Sequence, residues 1–133
     1  MKGILCISHG FYAREFIESI KMIAGQIDNI YSCCLEYDDG PESFTSKIED
    51  VMIKLKEYDE IIVFADLFGG SPCNTATAYF FNNPKVQIIS GMNFQMVLSA
   101  VLGEENVEVL LDDGKNSIID VKSFITSNND CDD

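Results

Sequence analysis

Short runs of apolar residues alternate along the chain with longer segments in which apolar residues recur every three or four positions. The short runs are typical of buried strands and the longer segments of amphipathic helices. The predicted strands are residues 2–8, 30–35, 60–65 and 86–90. The predicted helices are residues 13–24, 42–56, 72–81 and 94–102. This alternation predicts an α/β fold with a doubly wound, mostly parallel sheet flanked by helices.

Two of these segments carry more detailed predictions. Residues 60–65 are almost continuously apolar, as expected of a central parallel strand covered on both faces. The first helix is expected to bury one face, and Gly25 is expected to end it. The apolar residues assigned largely to that face are Phe16, Ile17, Ile20, Met22 and Ile23.

The last third of the chain fits two structures. Its apolar residues follow a helical period, but residues 118–125 are also rich in β-branched side chains. Asp113 and Gly114 together are a turn signal that would divide the region into a helix and an added edge strand. Helix and strand therefore both remain open for residues 115–126. Residues 1–126 are expected to form one domain, and the polar, acidic residues 127–133 a flexible tail.

The charge balance limits the kinds of partner. The 133 residues include 9 Lys and Arg against 22 Asp and Glu, a formal net charge of -13. This balance argues against binding to nucleic acid or to an anionic membrane surface, and it favours a basic protein partner. The five cysteines show no paired metal-binding spacing, which indicates reduced thiols in a soluble, cytoplasmic protein. Adjacent Cys33 and Cys34 are expected to point to opposite faces of a strand.

The candidate chemistry lies in three loops that follow predicted strands, at residues 8–10, 66–72 and 90–93. The carboxyl ends of parallel strands meet at one edge of a sheet, so His9, the only histidine, and Asp66 are expected to lie together. An aspartate that accepts a hydrogen bond from one imidazole nitrogen leaves the other nitrogen as a nucleophile. The loops therefore predict a reactive histidine oriented by a carboxylate.

The segment that follows Asp66 suggests a place for a phosphoryl group. Gly69 and Gly70 allow close backbone approach, Ser71 is expected to cap a helix, and Pro72 suits its first position. A helix amino terminus attracts phosphoryl oxygens. Each residue also has a purely structural explanation: His9 as a satisfied strand-end residue, Asp66 as a turn residue, the glycines as a tight turn. The functional interpretation depends on their convergence at one edge.

These residues resemble a known family. The sequences Ser8-His9-Gly10, DLFGGSPCN at 66–74 and SGMNFQMV at 90–97 are similar to the IIA component of the mannose family of the bacterial sugar phosphotransferase system. The resemblance covers about the first hundred residues. It implies a phosphoryl carrier that takes a phosphoryl group from the histidine phosphocarrier protein HPr and passes it to a IIB component. Neither a metal nor a nucleotide cofactor is then needed.

The resemblance also implies roles for particular residues. His9 would be phosphorylated and Asp66 would orient its ring. The expected phosphate-binding residues are Gly10, Gly69, Gly70 and Ser71, and the expected lining residues are Phe68, Asn74, Met92 and Asn93. The family further implies a homodimer, in which an edge strand is exchanged between subunits, and only indirect membrane contact through the transporter complex.

The chain departs from the family pattern at Gln95, where members often have proline. Two related functions remain open. One is a phosphotransfer subunit of a dihydroxyacetone kinase, which shares the fold and an early histidine. The other is a regulatory phospho-acceptor that feeds no transporter. The identity of the sugar and of the IIB partner is not encoded in these motifs, because the choice of sugar belongs mainly to the membrane components.

Overall fold

The chain folds into a four-stranded sheet with helices on both faces, and the computed structural model describes residues 1–131. The strands are β1 (Gly3–His9), β2 (Ile30–Leu35), β3 (Ile61–Ala65) and β4 (Val86–Ser90). The helices are α1 (Tyr12–Ala24), α2 (Pro41–Leu55), α3 (Ser71–Phe80), α4 (Phe94–Val101), α5 (Val107–Asn116) and α6 (Val121–Cys131). The eight elements predicted in the first hundred residues are confirmed, each to within one residue at either end.

The sheet is parallel throughout, with the order β2-β1-β3-β4. From the central strand β1 the chain passes through α1 to β2, whereas from β3 it passes through α3 to β4 on the other side. The carboxyl ends of β1 and β3 therefore flank the point at which the winding direction changes. Ligands of open α/β sheets bind at such a point.

The core consists of two layers, one on each face of the sheet. Ile4 of β1 and Phe64 of β3 point to the layer that α1, α4 and α5 cover. Leu5 and Val63 point to the layer that α2 and α3 cover. All five residues of β3 are buried, which confirms that this strand is covered on both faces. Full burial of a side chain as large as Phe64 stabilises the fold by about 2–3 kcal/mol.

Helix α1 buries a narrower face than its sequence predicted. Ile17 and Ile20 are buried and Phe16 packs against the core, whereas Met22 is 88% exposed and Ile23 is 64% exposed. The prediction for Met22 was wrong because successive helical residues are rotated by about 100°. That rotation sets Met22 opposite the buried face and Ile23 on its flank.

The C-terminal third is helical. Gly114, which was one candidate for a break, lies inside α5, where a Cβ would come within 3.2 Å of Met96 Cβ. The close approach of α5 to α4 thus explains this glycine. The added edge strand is not found in residues 1–131. Helix α6 includes residues 127–131 of the predicted tail, while residues 132 and 133 lie outside the described residues; flexibility of the tail stays a prediction.

Cys33 belongs to the core layer beneath α2, and Cys34 packs against the opposite layer, which confirms that the two side chains point to opposite faces. Burial raises the pKa of Cys33 to about 12 and also raises that of Cys6, so both thiols stay protonated at neutral pH. A protonated, buried thiol is a packing group rather than a nucleophile. Across residues 1–131, no helix combines the length and apolar character needed to cross a membrane.

Candidate functional site

The structure brings His9 and Asp66 into contact at the carboxyl edge of the sheet. His9 is the last residue of β1, and Asp66 directly follows β3. Nδ1 of His9 lies 2.8 Å from Oδ2 of Asp66, and the backbone N–H of His9 donates to the same oxygen over 3.0 Å. The backbone N–H of Asp66 donates in turn to the carbonyl of Ile7 over 3.2 Å. The pairing of the two strands therefore fixes both the backbone and the ring of the histidine.

This contact distinguishes the two imidazole nitrogens. An ionised carboxylate only accepts hydrogen bonds, so Nδ1 carries the proton and Nε2 keeps its lone pair. The His9 side chain is 47% exposed and that of Asp66 17% exposed. The other carboxylate oxygen, Oδ1, is buried, and no hydrogen-bond partner for it is found in the described part of the chain. The half-exposed ring therefore contacts a partly buried carboxylate through Nδ1, and Nε2 is the nitrogen that faces away from this contact.

Gly70 forms one wall of the imidazole site. A Cβ built on Gly70 would lie 2.7 Å from Cε1 and 3.3 Å from Nε2 of His9. Real Cβ atoms do not approach so closely, so the ring occupies space that any other side chain at position 70 would need. The backbone of Gly70 is extended, with φ -75° and ψ 164°. Glycine is therefore required here by the close approach of the ring and not by backbone strain.

Helix α3 begins beside this wall. Gly70 is its N-cap residue, and the carbonyl of Gly70 accepts the backbone N–H of Asn74 over 2.9 Å. The prediction that Ser71 caps the helix was wrong by one position, because this bond already places Ser71 in the first turn. Asn74 also donates from Nδ2 to the carbonyl of Gly69 over 3.0 Å. The first-turn N–H groups of a helix lack intrahelical partners and attract anions.

The remaining predicted site residues divide into two groups. Gly10 follows His9 with φ 56°, a left-handed conformation that favours glycine, and Phe68 is 83% exposed near the ring wall. Met92, in contrast, is buried in the core. Asn93 caps α4 by accepting the N–H of Met96 and donates to the carbonyl of Gly114. Met92 and Asn93 therefore both have structural contacts of their own.

A cleft of about 680 Å³ adjoins His9, and its far wall is the loop between β2 and α2. The lining residues of that loop are Glu36, Tyr37, Asp38 and Asp39. The sequence analysis missed this acidic loop. The loop could have been predicted from the sequence. Strand β2 is parallel to β1 and ends at the same edge of the sheet, so the loop after β2 must also lie at that edge.

Lys47 of α2 holds the acidic loop in place. Its Nζ lies 2.6 Å from Oδ2 of Asp39, 2.9 Å from Oε2 of Glu36 and 2.9 Å from the carbonyl of Cys34. The hydrogen bond from Lys47 is the largest cause that lowers the pKa of Asp39 to about 2. The same contact with Asp39, followed by that with Glu36, raises the pKa of Lys47. The wall of the cleft is therefore anionic and ordered at neutral pH.

Large apolar side chains are exposed around the same edge. They are Phe11, Tyr12, Tyr37, Leu67 and Phe68. All five lie in or directly beside the loops that follow β1, β2 and β3. Several exposed apolar side chains at one edge, with charged residues beside them, are typical of a site for protein–protein contact. Arg14 lies over the Phe11 ring, with Cζ 4.3 Å from the ring centroid, and so adds a cation beside this surface.

Comparison with known proteins gives a consistent result. The family model described as "PTS system fructose IIA component" matches residues 3–117. The chain is 26% identical over 106 residues to the sorbose-specific EIIA component of Lacticaseibacillus casei, covering 80% of this chain and 76% of that protein. It is 22% identical over 107 residues to the fructose-specific EIIA component of Bacillus subtilis, covering 80% of this chain and 73% of that protein.

Solved structures agree with these sequence matches. The PTS IIA protein associated with the fucose utilization operon of Streptococcus pneumoniae superposes with a TM-score of 0.87 at 27% identity, covering 93% of this chain and 96% of that one. The mannose/sorbose-specific IIA subunit of Enterococcus faecalis gives a TM-score of 0.80 at 27% identity, covering 90% and 94% of the two chains. The doubly wound fold predicted from the sequence is thereby confirmed.

Proposed function

This chain belongs to the PTS system fructose IIA component family, and from that premise we propose that it carries a phosphoryl group on Nε2 of His9. The donor is phosphorylated HPr and the acceptor is a IIB component of a sugar transporter. The observation that carries the proposal is the 2.8 Å contact between Nδ1 of His9 and Oδ2 of Asp66. That contact supports a histidine whose outer nitrogen is free to react.

The proposed reaction is transfer between two imidazoles. The lone pair of Nε2 attacks the phosphorus of the donor's phosphohistidine, the new N–P bond forms, and the donor's N–P bond breaks with its electron pair returning to the donor ring. The His9 ring becomes positively charged, and its Nδ1–H then donates to the Asp66 carboxylate. Asp66 therefore stabilises the charge that develops during transfer. Transfer to the IIB component is the same displacement with His9 as the leaving group.

The start of α3 is the proposed site for the phosphoryl oxygens. Gly70 packs against the ring, so the first turn of the helix begins beside Nε2. The backbone N–H groups of Gly69 and Ser71 would donate to the phosphoryl oxygens, whereas that of Gly70 already donates to the carbonyl of Leu67 over 3.3 Å. Fixed donors of this kind need no reorganisation during the reaction. Positioning and these fixed dipoles supply the catalysis.

The surface around His9 supports a basic protein as partner. The acidic loop opposite the ring is ordered by Lys47, and the formal net charge of the chain is -13. Charge complementarity of this kind mainly accelerates the encounter between two proteins. The exposed Phe11 and Phe68 then provide apolar contact area. Such a surface suits two carriers that bind in turn and leave.

We also propose a homodimer in the cytoplasm. Strand β4 is at the edge of the sheet, and the C-terminal segment exposes a row of apolar side chains. These residues are Ile118, Ile119, Val121, Phe124 and Ile125. A second copy would cover them, since a monomer rarely leaves so large an apolar surface exposed. The free thiols Cys6, Cys33, Cys34 and Cys73 are compatible with the reducing cytoplasm.

The named relatives favour transport over the kinase-subunit alternative, because they are sorbose- and fructose-specific EIIA components. A regulatory phospho-acceptor would use the same first reaction. The two are separated by the acceptor: a carrier passes its phosphoryl group to a purified IIB protein, whereas a regulatory module keeps it.

The test is phosphorylation by phosphoenolpyruvate, enzyme I and HPr, followed by intact mass and acid-lability measurements on the wild type and on His9→Ala. The wild type should gain an acid-labile phosphoryl group and His9→Ala should gain none while retaining the wild-type circular dichroism spectrum. Wild-type protein that stays unmodified while HPr is phosphorylated would refute the proposal, and so would equal labelling of His9→Ala.

A further inference from the structure

Ser8, the residue before the histidine, has a fully buried side chain with two hydrogen bonds. Its Oγ accepts the backbone N–H of Ala13 over 2.7 Å. The same hydroxyl donates to the carbonyl of Gly10 over 3.0 Å. A single buried hydroxyl thus connects the end of β1, the turn after it and the start of α1.

The Ser8 hydroxyl caps helix α1, although Ser8 lies outside the N-cap position. Phe11 is the N-cap residue of α1 and makes no capping hydrogen bond with its side chain. Ala13, the second residue of the helix, is fully buried, so its N–H needs an acceptor from the protein. Ser8 supplies that acceptor from outside the usual cap position. Its bond to Gly10 also fixes the carbonyl of the one residue in this turn with a positive φ, 56°.

The position of the reactive ring depends on this turn. His9 lies between Ser8 and Gly10, and both its backbone N–H and its Nδ1 meet Oδ2 of Asp66. A change in the peptide planes on either side of His9 would alter the direction of its Cα–Cβ bond, and the two bonds to Asp66 would no longer align together. The geometry therefore couples the Ser8 hydroxyl to the imidazole through the backbone.

We infer that Ser8 is a positioning residue for His9: its hydroxyl holds the strand-to-helix turn so that Nδ1–H faces Asp66 and Nε2 faces the incoming phosphoryl group. The inference rests on the proposed function, but it concerns a property of the unphosphorylated protein as well. Without the hydroxyl, the ring spends part of its time away from Asp66, and the tautomer with a proton on Nε2 becomes populated. That tautomer cannot attack phosphorus.

The test compares the wild type with Ser8→Ala, Ser8→Thr and Asn106→Ala. Ser8→Thr keeps a hydroxyl. Asn106→Ala removes a helix cap of the same kind, since Asn106 Oδ1 accepts the N–H groups of Glu108 and Val109. That cap adjoins Glu105, whose carbonyl Lys2 contacts at the opposite edge of the sheet. Asn106→Ala thus removes a helix cap without touching the turn at His9.

Two readouts apply to each variant: the ¹⁵N chemical shifts of the His9 imidazole without any donor, and the single-turnover kinetics with excess phosphorylated HPr. In the second, kcat is the rate constant at saturation and KM is the concentration of phosphorylated HPr that gives half of it. In Ser8→Ala we expect an increased Nε2–H tautomer and a kcat lowered roughly ten- to a hundred-fold, because small misplacements of reacting groups have effects of that size. KM for phosphorylated HPr should stay close to the wild-type value, since the docking surface is unchanged. Ser8→Thr should restore both the spectrum and kcat, and Asn106→Ala should change neither.

A wild-type imidazole spectrum together with a wild-type kcat in Ser8→Ala would overturn the inference. An equal loss of kcat in Asn106→Ala would also overturn it, because stability alone would then explain the effect. If the wild type accepts no phosphoryl group, the proposed function fails, while the imidazole spectra still decide the role of Ser8. If Ser8→Ala does not fold, Ser8→Cys replaces the hydroxyl with a thiol that accepts hydrogen bonds only weakly, and the same two readouts apply.

Discussion

Gly70 lies so close to His9 that a methyl group on Gly70 would be 2.7 Å from Cε1 of the imidazole. The ring is therefore held between a carboxylate, Asp66, and a glycine that leaves room for it. This arrangement restricts the ring from two sides while leaving about half of the His9 side chain exposed. Glycine is needed at this position because of the contact with the ring, since the backbone of Gly70 is extended and would suit any residue.

Gly70→Ala should lower the rate of phosphoryl transfer to His9 roughly ten- to a hundred-fold, because the new methyl group displaces the ring from Asp66. The measurement is single-turnover transfer from phosphorylated HPr. Gly40→Ala is the matched control: Gly40 is the N-cap residue of α2, its backbone is also extended, and no residue that the structure describes lies within 4 Å of a Cβ built there. Equal rates in the two variants would show that the ring contact is unimportant.

Asp66→Asn should slow transfer at least about tenfold while leaving binding to HPr intact. An amide that turns its oxygen to His9 places its NH₂ group where the buried Oδ1 now lies without a hydrogen-bond partner among the described residues. An amide turned the other way places its NH₂ group against the backbone N–H of His9, which is also a donor. The NH₂ group would then donate to Nδ1 and favour the tautomer with the proton on Nε2. Transfer rates and HPr affinity measured side by side test this, with the exposed Asp59→Asn as control. An unchanged rate would remove Asp66 from the mechanism.

Asp39→Asn should make the stability of the fold less sensitive to a fall in pH. The pKa of Asp39 is lowered from 3.8 to about 2 in the folded protein, chiefly by the hydrogen bond from Lys47. A lowered carboxylate pKa stabilises the fold above about pH 4, and this contribution is lost as the pH falls toward 2. The difference in Tm between the wild type and Asp39→Asn should therefore be largest at neutral pH and should shrink as the pH falls from about 4 toward 2. A difference that is constant from pH 7 to 2 would contradict this assignment.

The double variant Phe124→Ser, Ile125→Ser should be monomeric where the wild type is a dimer. Both side chains are about half exposed on α6, so their replacement removes apolar surface without opening the core. Light scattering during size-exclusion chromatography should give twice 14.8 kDa for the wild type and 14.8 kDa for the variant. Ile53→Ser, an exposed apolar residue on α2, is the control. A monomeric wild type would refute the proposed dimer.

Much of the fold follows from local patterns. Strand β3 was predicted because a strand buried on both faces must be apolar at every position, and its five residues are all buried. The contact of His9 with Asp66 was predicted because parallel strands end at one edge of a sheet. Two residues at that edge can meet even though 57 positions separate them in sequence. In both cases a pattern that is visible in the sequence was enough to predict an arrangement between parts of the chain that are far apart in sequence.

Other features depend on contacts that no local pattern contains. Whether Gly70 or Ser71 caps α3 is decided by one bond to Asn74 and by the space the His9 ring needs. Residues 118–125 satisfy a strand and a helical pattern at once, so the helix that begins at Val121 could not be predicted from spacing. The Ser8 hydroxyl was missed because its bonds to Gly10 and Ala13 are visible only after the turn is built.

The strand position of His9 has a kinetic consequence. His9 is paired with Leu35 in the ladder between β1 and β2, so its backbone cannot swing from one partner to another as a mobile loop would. Donor and acceptor must therefore each come to the same nitrogen along the same approach, and they exclude one another. For the proposed carrier this means a substituted-enzyme (ping-pong) scheme, in which excess unphosphorylated donor competitively inhibits delivery to the acceptor.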